Sequence, residues 1–447
     1  MSAEAAVLEL AAYAVASARR AGATQAEATA AVSERFSTEA RESKIVKLEQ
    51  ATSRSLTLRV FVEGRKATLA SSDLTKEGLA DLVARTVDAA RFVGDDPFAG
   101  LPDRALTTAG DGTALDIFSA DVPARESVAK LDDVRAMERI IRAGDPRIVN
   151  SNGSRLGDAQ TTLALVNSNN FSGSYRSTSV SLGSSPVAQD GDNKRMVSYG
   201  SAARSYARLE SPEYIAKLAA RRALEMIGAA KPETMRVPVI FERDVAASVL
   251  ADIFAAVSAS NVAIANSFLA ERRGAKVGSD LVTIVDDGRL PAGIGTSPFD
   301  SEGVATRRTV VFDRGTLETF LFDSYYARKL GATSTGNAAG GGIGPNNFYL
   351  ATGSHSLDEL VRATERGVLV LDTIGFATES VSGTYSRGAR GFLIVDGSLC
   401  APIDGFTIAG NFLEMLAGID MVANDLRFDG TIVSPSFRVA EMTISGT

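Results

Sequence analysis

The chain of 447 residues has one cysteine, one histidine and no tryptophan. The lone Cys400 excludes an internal disulfide and a thiolate cluster. The lone His355 excludes any site built on two histidines of this chain, and with it the usual zinc-hydrolase ligand sets. Charge of one sign is also scarce: the net value is −7, with 23% charged residues, so no broad basic face exists for nucleic acid or an anionic membrane. The N-terminal stretch carries Glu4 and Glu9 early and its basic pair, Arg19 and Arg20, late. A secretory signal has the reverse polarity, and this pattern predicts an amphipathic helix ended by Gly22. The longest uncharged run, Ile253 to Ala270, includes Ser258, Ser260, Asn261, Asn266 and Ser267. Those groups are costly in lipid, so a buried helix running into a turn is expected rather than a membrane span. These absences lead to the expectation of a cytoplasmic protein with no membrane and no nucleic-acid partner.

What remains is an ordinary globular composition, 45% hydrophobic, long enough for two or three domains. Thr57 to Val62 alternates, Glu63-Gly64 turns and Arg65 to Ala70 returns, which predicts a hairpin. Ser72-Asp73 precedes a run with Leu79, Leu82, Val83, Thr86, Val87 and Ala90 at helical spacing. Leu131 to Arg142 reads as a second helix. Residues 148–208, rich in Ser, Asn, Gly and Thr but with recurring β-branched residues, read as an antiparallel meander. Ser211-Pro212-Glu213 starts a helix. Lys231-Pro232-Glu233 reads as a linker, which divides the chain into an N-terminal α+β region, 1–230, and a strand-rich C-terminal domain, 231–447. The expected class is α+β with mostly antiparallel sheet.

The common catalytic motifs are missing: there is no G-x-S-x-G elbow and no phosphate loop. Gly340 to Gly344 reads as a mobile loop. Ser356 and Glu359 form a capping box that leaves His355 just outside a helix. Cys400 reads as a small packed residue, and Asp286-Asp287-Gly288 as a turn between strands. Of Arg307 and Arg308, in a strand from Thr306 to Phe312, alternation lets only one point inward.

The segments Asp96 to Asp103, Asp286-Asp287-Gly288, Phe299-Asp300-Ser301-Glu302-Gly303, Asp323 to Gly331, Ser334 to Ala338, Tyr385-Ser386-Arg387-Gly388 and Ile408 to Asn411, in this order, resemble the TldD/PmbA family, in its PmbA (TldE) branch. In that family the TldD subunit carries zinc on a helix with the pattern H-E-x-x-x-H. The resemblance places Ala251 and Ala256 at the two histidine positions and Asp252 at the glutamate position, with no match for a further cysteine ligand near the C-terminus. It therefore implies a chain without catalytic residues or metal of its own, a degenerate site at Ala251, Asp252 and Ala256. Zinc is then expected in a TldD-like partner that cleaves unfolded or extended peptides. For substrate contact the residues favoured are Arg307, Arg308, Tyr385, Ser386 and Arg387, since arginine binds carboxylates bidentately and Tyr-Ser-Arg-Gly combines donors with a turn. Two other readings stay open. One is a stand-alone hydrolase using carboxylates such as Asp252, Asp286 or Asp287; the other is a peptide-binding homodimeric adaptor.

Overall fold

The computed structural model describes residues 2–108 and 112–446, with the backbone alone at 376 and 377. The N-terminal half is one antiparallel sheet whose strands are unusually long. Gln25–Arg41 pairs on one side with Lys44–Val62 and on the other with Ile148–Asn167. Arg65–Ser71 extends one edge, while Ser172–Asp190, with Asn193–Met196 and Tyr199–Ala203, extends the other. Two-residue turns set the register. Glu42-Ser43 and Glu63-Gly64 both take positive φ, as the right-handed twist of tight hairpins requires.

Even-numbered residues of Gln25–Arg41 face the helices. Ala26, Ala28 and Ala30 pack under the helices Ala3–Arg20 and Lys76–Arg91, and small side chains there allow close approach. Further along the same strand, Phe36 and Ala40 pack under the helices Ser127–Gly144 and Pro212–Glu225. Both helix pairs thus lie on one face of the sheet. The apolar set Leu79, Leu82, Val83, Thr86, Val87 and Ala90 is buried as its spacing predicts. The cap of that helix is Thr75 rather than Ser72 or Asp73, because the Asp73 carboxylate accepts from the Thr75 backbone and hydroxyl and so holds the chain in a turn first. Ser211 caps Pro212–Glu225 with proline in its first turn, as expected.

The C-terminal half carries a second sheet in the order Ser398–Asn411, Thr384–Val395, Arg366–Glu379, Met235–Phe241, Phe437–Ser445, Ile419–Val422. Thr407 to Ala409 also pair with Thr443 to Ser445, so five strands close on themselves. A third sheet runs Thr316–Leu317, Arg308–Asp313, Ile284–Asp287, Phe348–Leu350, Ile432–Val433. The helix Arg243–Val257 packs Val245, Val249, Leu250 and Ile253 into the core that joins the two. Burying each such side chain contributes about 1.5–3 kcal/mol. The class is α+β.

Four local expectations are corrected. Asp286 and Asp287 lie within a strand in the middle of the third sheet, not in a turn, because asparagine amides satisfy the buried Asp286 carboxylate. Gly340 and Gly341 form a tight turn between the short strands Ala338–Ala339 and Gly342–Ile343, both glycines at positive φ, instead of an open loop. Cys400 is exposed on a strand whose inward positions begin further on. Tyr385 to Gly388 is mid-strand, with partners on both sides, so it supplies no turn. His355 is exposed and precedes the Ser356–Glu359 capping box, as expected. Among the described residues no helix is long and apolar enough to cross a membrane.

The two halves are joined by buried polar contacts. Arg204 donates to the carbonyls of Gly293, Ile294 and Thr296 across the junction and to Thr178 in its own sheet. Arg59 bridges Glu27 of the sheet and Glu302 of the C-terminal half, at 2.5 and 3.3 Å. Tyr199 accepts from Arg243 and Arg427 and donates to Glu210.

Candidate functional site

The helix Arg243–Val257 is mostly apolar, yet Asp244, Ser248 and Asp252 recur every four residues and therefore share one face. That face meets the strand Thr384–Val395. Arg387, 8% exposed, donates from Nη2 to Asp252 Oδ2 at 2.6 Å and from Nη1 to Ser248 Oγ at 3.3 Å. Its guanidinium also lies 5.5 Å from the Tyr385 ring centre. Burial raises the Asp252 carboxyl above its ordinary range, against the pull of Arg387. Ala251 is half-buried and Ala256 belongs to the core, so neither presents a polar atom beside the carboxylate.

Arg387 and Ser248 line a cleft of about 490 Å³ between the two halves of the chain. Met196, Val197 and Met226 come from the N-terminal side, and Val245, Ser248, Leu371, Thr373 and Arg387 from the C-terminal side. Its remaining cations are tethered: Arg222 to Glu242 and Asp244 at 2.7 and 3.3 Å, and Arg390 to Asp372 at 2.7 Å. The cleft thus offers an apolar floor with fixed charges at its rim, a shape suited to a short stretch of polypeptide.

The five residues favoured for substrate contact do not form one cluster. Arg387 lines the cleft. Tyr385 is fully buried against Phe241 and Phe412, and Ser386 is half-buried on the opposite face of the strand. Arg307 and Arg308 stand at the third sheet. The strand begins at Arg308 rather than Thr306: Arg307, just before it, is half-buried and donates to the Ser334 carbonyl, while Arg308 is exposed, so one of the two points inward but not by strand alternation.

The other carboxylates are sealed. Asp286 is 0% exposed and accepts from Asn337 Nδ2 at 2.7 Å and from the side chain and backbone of Asn346, each at 2.9 Å. Burial pushes it up to about 6, against those hydrogen bonds. Asp287 accepts from the backbone of Arg289. Asp300 accepts three backbone N–H groups, from Glu302, Val304 and Ala338; burial, then the neighbouring Glu302, push it up to about 8. Among the described residues no three His, Cys, Asp or Glu side chains are grouped to hold a metal ion.

A polar stripe on an apolar helix was the signal that could have placed Asp252 opposite a cation. The asparagines that hold Asp286, 51 and 60 positions away in the chain, had no such signal.

A fold in which one long sheet carries helices on one face, joined to a closed strand-rich domain that holds the helix Arg243–Val257, defines the class. Residues 26–90, 119–227 and 234–446 match domain 1, the central domain and the C-terminal domain of the PmbA/TldA metallopeptidases, and the chain belongs to that family. The first two matched segments share the single N-terminal sheet. The metalloprotease PmbA of Escherichia coli O157:H7 is 33% identical over 92% of this chain and 90% of its own. The PmbA homologue of Haemophilus influenzae is 31% identical over 97% and 95%. A TldD homologue from Buchnera aphidicola, subspecies Acyrthosiphon pisum, is 28% identical over 39% of this chain and 40% of its own. Among solved structures, a Bacteroides thetaiotaomicron protein described as a modulator of DNA gyrase superposes with a TM-score of 0.92 at 26% identity, over 98% of both chains. TldE from Thermococcus kodakarensis shares the fold, with a TM-score of 0.85 at 21% identity over 97% of this chain and 99% of its own.

Proposed function

We propose that this chain is the PmbA/TldE-like subunit of a TldD/TldE-type metalloprotease, cytoplasmic and without catalytic metal of its own. A TldD-like partner carries the zinc and cleaves unfolded or extended peptides. The observation that carries this reading is the Arg387–Asp252 pair. A zinc site needs lone pairs at tetrahedral spacing around a vacant position. Here the carboxylate at the general-base position is held by a guanidinium at 2.6 Å, and the two flanking ligand positions are alanine methyls. Those residues do not fit a zinc ion: the fixed positive charge of Arg387 repels one, and no imidazole compensates. Relatives named PmbA align over nine-tenths of the chain or more, which supports the branch.

In this role the interdomain cleft forms part of the wall that receives the peptide. Arg387 and Ser248 line its C-terminal side, with Arg390 and Arg222 at the rim. Arg308 is an exposed cation at the third sheet. The test is reconstitution. Purified chain, a purified TldD-like subunit and their mixture are each given an unfolded peptide with zinc present. Cleavage should appear in the mixture and be absent with this chain alone. Cleavage by this chain alone, abolished by Asp252→Ala, would overturn the reading in favour of a carboxylate hydrolase.

A further inference from the structure

Both helix pairs of the N-terminal half pack on one face of its sheet. On the other face Thr29 stands opposite Leu165, and Leu163 opposite Tyr175, since Ala28 and Ala30 turn toward the helices. The C-terminal half meets this helix-free face through Phe299. Its ring lies edge-on to Phe171 and Tyr175, with centres 5.1 and 5.3 Å away. A Cβ on Gly173 would come within 2.7 Å of that ring, so glycine is what lets the ring approach the sheet. Leu165, Phe171 and Phe299 are buried together, as a small cluster of their own.

This packing leaves a cavity of about 230 Å³ between Leu163, Leu165, Tyr175 and Phe299 on one side and Ala339 and Gly344 on the other. Pockets that enclose a whole small molecule measure roughly 300–1,000 Å³, so this one has room for a single side chain. Arg204 holds the carbonyls of Gly293, Ile294 and Thr296, and Gly295 lines the cavity, so its wall is fixed in advance. The lining is close to neutral. Among the described residues no lysine or arginine contributes to it. Asp300, the one carboxyl, is pushed up to about 8 by burial and is mostly protonated at pH 7. Thr29, Tyr175 and Ser301 also line the cavity, and their hydroxyls have no hydrogen-bond partner among the described residues. An apolar side chain gains from such a lining, whereas a charged one loses its hydration without finding a counter-ion.

Beyond the cavity the same face continues through Ala31, Ser53, Ser55, Thr161 and Ser177, which are half-buried or exposed. These short side chains leave room for an extended backbone to lie across the strands. The interdomain cleft is a different place, since it takes Arg222 and Met226 from the helix side of the sheet. We propose that the cavity between Leu163, Leu165, Tyr175 and Phe299 is a recognition pocket for one large apolar side chain of an extended polypeptide lying on the helix-free face. The class of ligand rests on the peptide-handling role proposed above; the pocket adds a side-chain preference that the role itself does not specify.

The experiment is fluorescence anisotropy of short fluorescein-labelled peptides of glycine and serine titrated with the full chain, without zinc or a partner subunit. The probes differ only at one central residue, which is phenylalanine, alanine or aspartate. The phenylalanine peptide should bind about ten- to a hundredfold more tightly than the other two, from the apolar area it buries. Leu163→Trp fills the cavity, and Ser301→Trp covers it from an exposed position. Each should abolish the preference, with circular dichroism verifying the fold. Equal binding of the three peptides, or a preference retained in either variant that folds, would overturn the proposal. The predicted preference without cleavage on reconstitution would count against the functional reading alone, and cleavage on reconstitution without the preference would count against the pocket alone.

Discussion

Replacing Arg387 with alanine removes the cation that pairs with Asp252 beside the interdomain cleft. Breaking a buried ion pair by removing one partner costs about 3–5 kcal/mol, because a desolvated charge is left behind. The Asp252 side chain keeps 20% of its exposure, so water compensates in part and the expected loss is about 2–3 kcal/mol. For a domain of this size that corresponds to a melting temperature lower by roughly 5–10 °C. The loss should depend on pH. Burial already raises the Asp252 carboxyl, and without the guanidinium it rises further. A carboxyl with a folded value above its unfolded one is stabilising when protonated; that contribution is complete below the unfolded value and disappears as pH rises through the folded one. Arg387→Ala should therefore recover stability relative to wild type as pH falls toward the ordinary carboxylate range. The double variant Asp252→Leu/Arg387→Met leaves no unpaired charge and should recover most of the loss. Urea unfolding of wild type, Asp252→Leu, Arg387→Met and the double variant closes the cycle. A loss below about 0.5 kcal/mol for Arg387→Ala, or a coupling near zero between the two positions, would refute the assignment of this pair as the feature that replaces a metal site.

Two further outcomes follow from the junction between the halves. Glu27, Asp286 and Asp300 are held at about 7, 6 and 8 by burial, so their contribution is complete below about pH 4 and lost as pH rises through those values. The melting temperature should fall between pH 5 and 8, and Asp300→Asn should flatten the upper part of that slope; a curve that rises throughout would contradict the burial argument. Arg204→Met strips one donor group from four backbone carbonyls, three of them across the junction, and should cost about 3 kcal/mol or more while speeding proteolysis of the 226–234 connection. Unchanged digestion would show that the clamp does not hold the halves together.

Local chemistry made much of the fold legible. The Glu63-Gly64 hairpin, the Ser211-Pro212 helix start, the Ser356–Glu359 capping box and the buried stripe of Lys76–Arg91 each depend on residues within one turn of one another. What sequence did not reveal rests on distant partners. Asp286-Asp287-Gly288 has the composition of a turn but is strand, because Asn337 and Asn346 approach Asp286 from another part of the third sheet region. Tyr385-Ser386-Arg387-Gly388 has donors and a glycine suited to a loop. Strand partners on both sides extend it, bury Tyr385 and aim Arg387 at a helix 135 positions earlier. The family resemblance drew attention to Ala251, Asp252 and Ala256; the cation that pairs with Asp252 left no such signal, since charge pairing across such separations leaves no periodic trace.

The central claim, that this chain holds no catalytic metal, is tested most directly by metal analysis of the purified chain after equilibration with micromolar zinc and desalting. The account predicts well under one tenth of a zinc ion per chain, unchanged by Asp252→Ala. One zinc per chain, lost in Asp252→Ala, would contradict it.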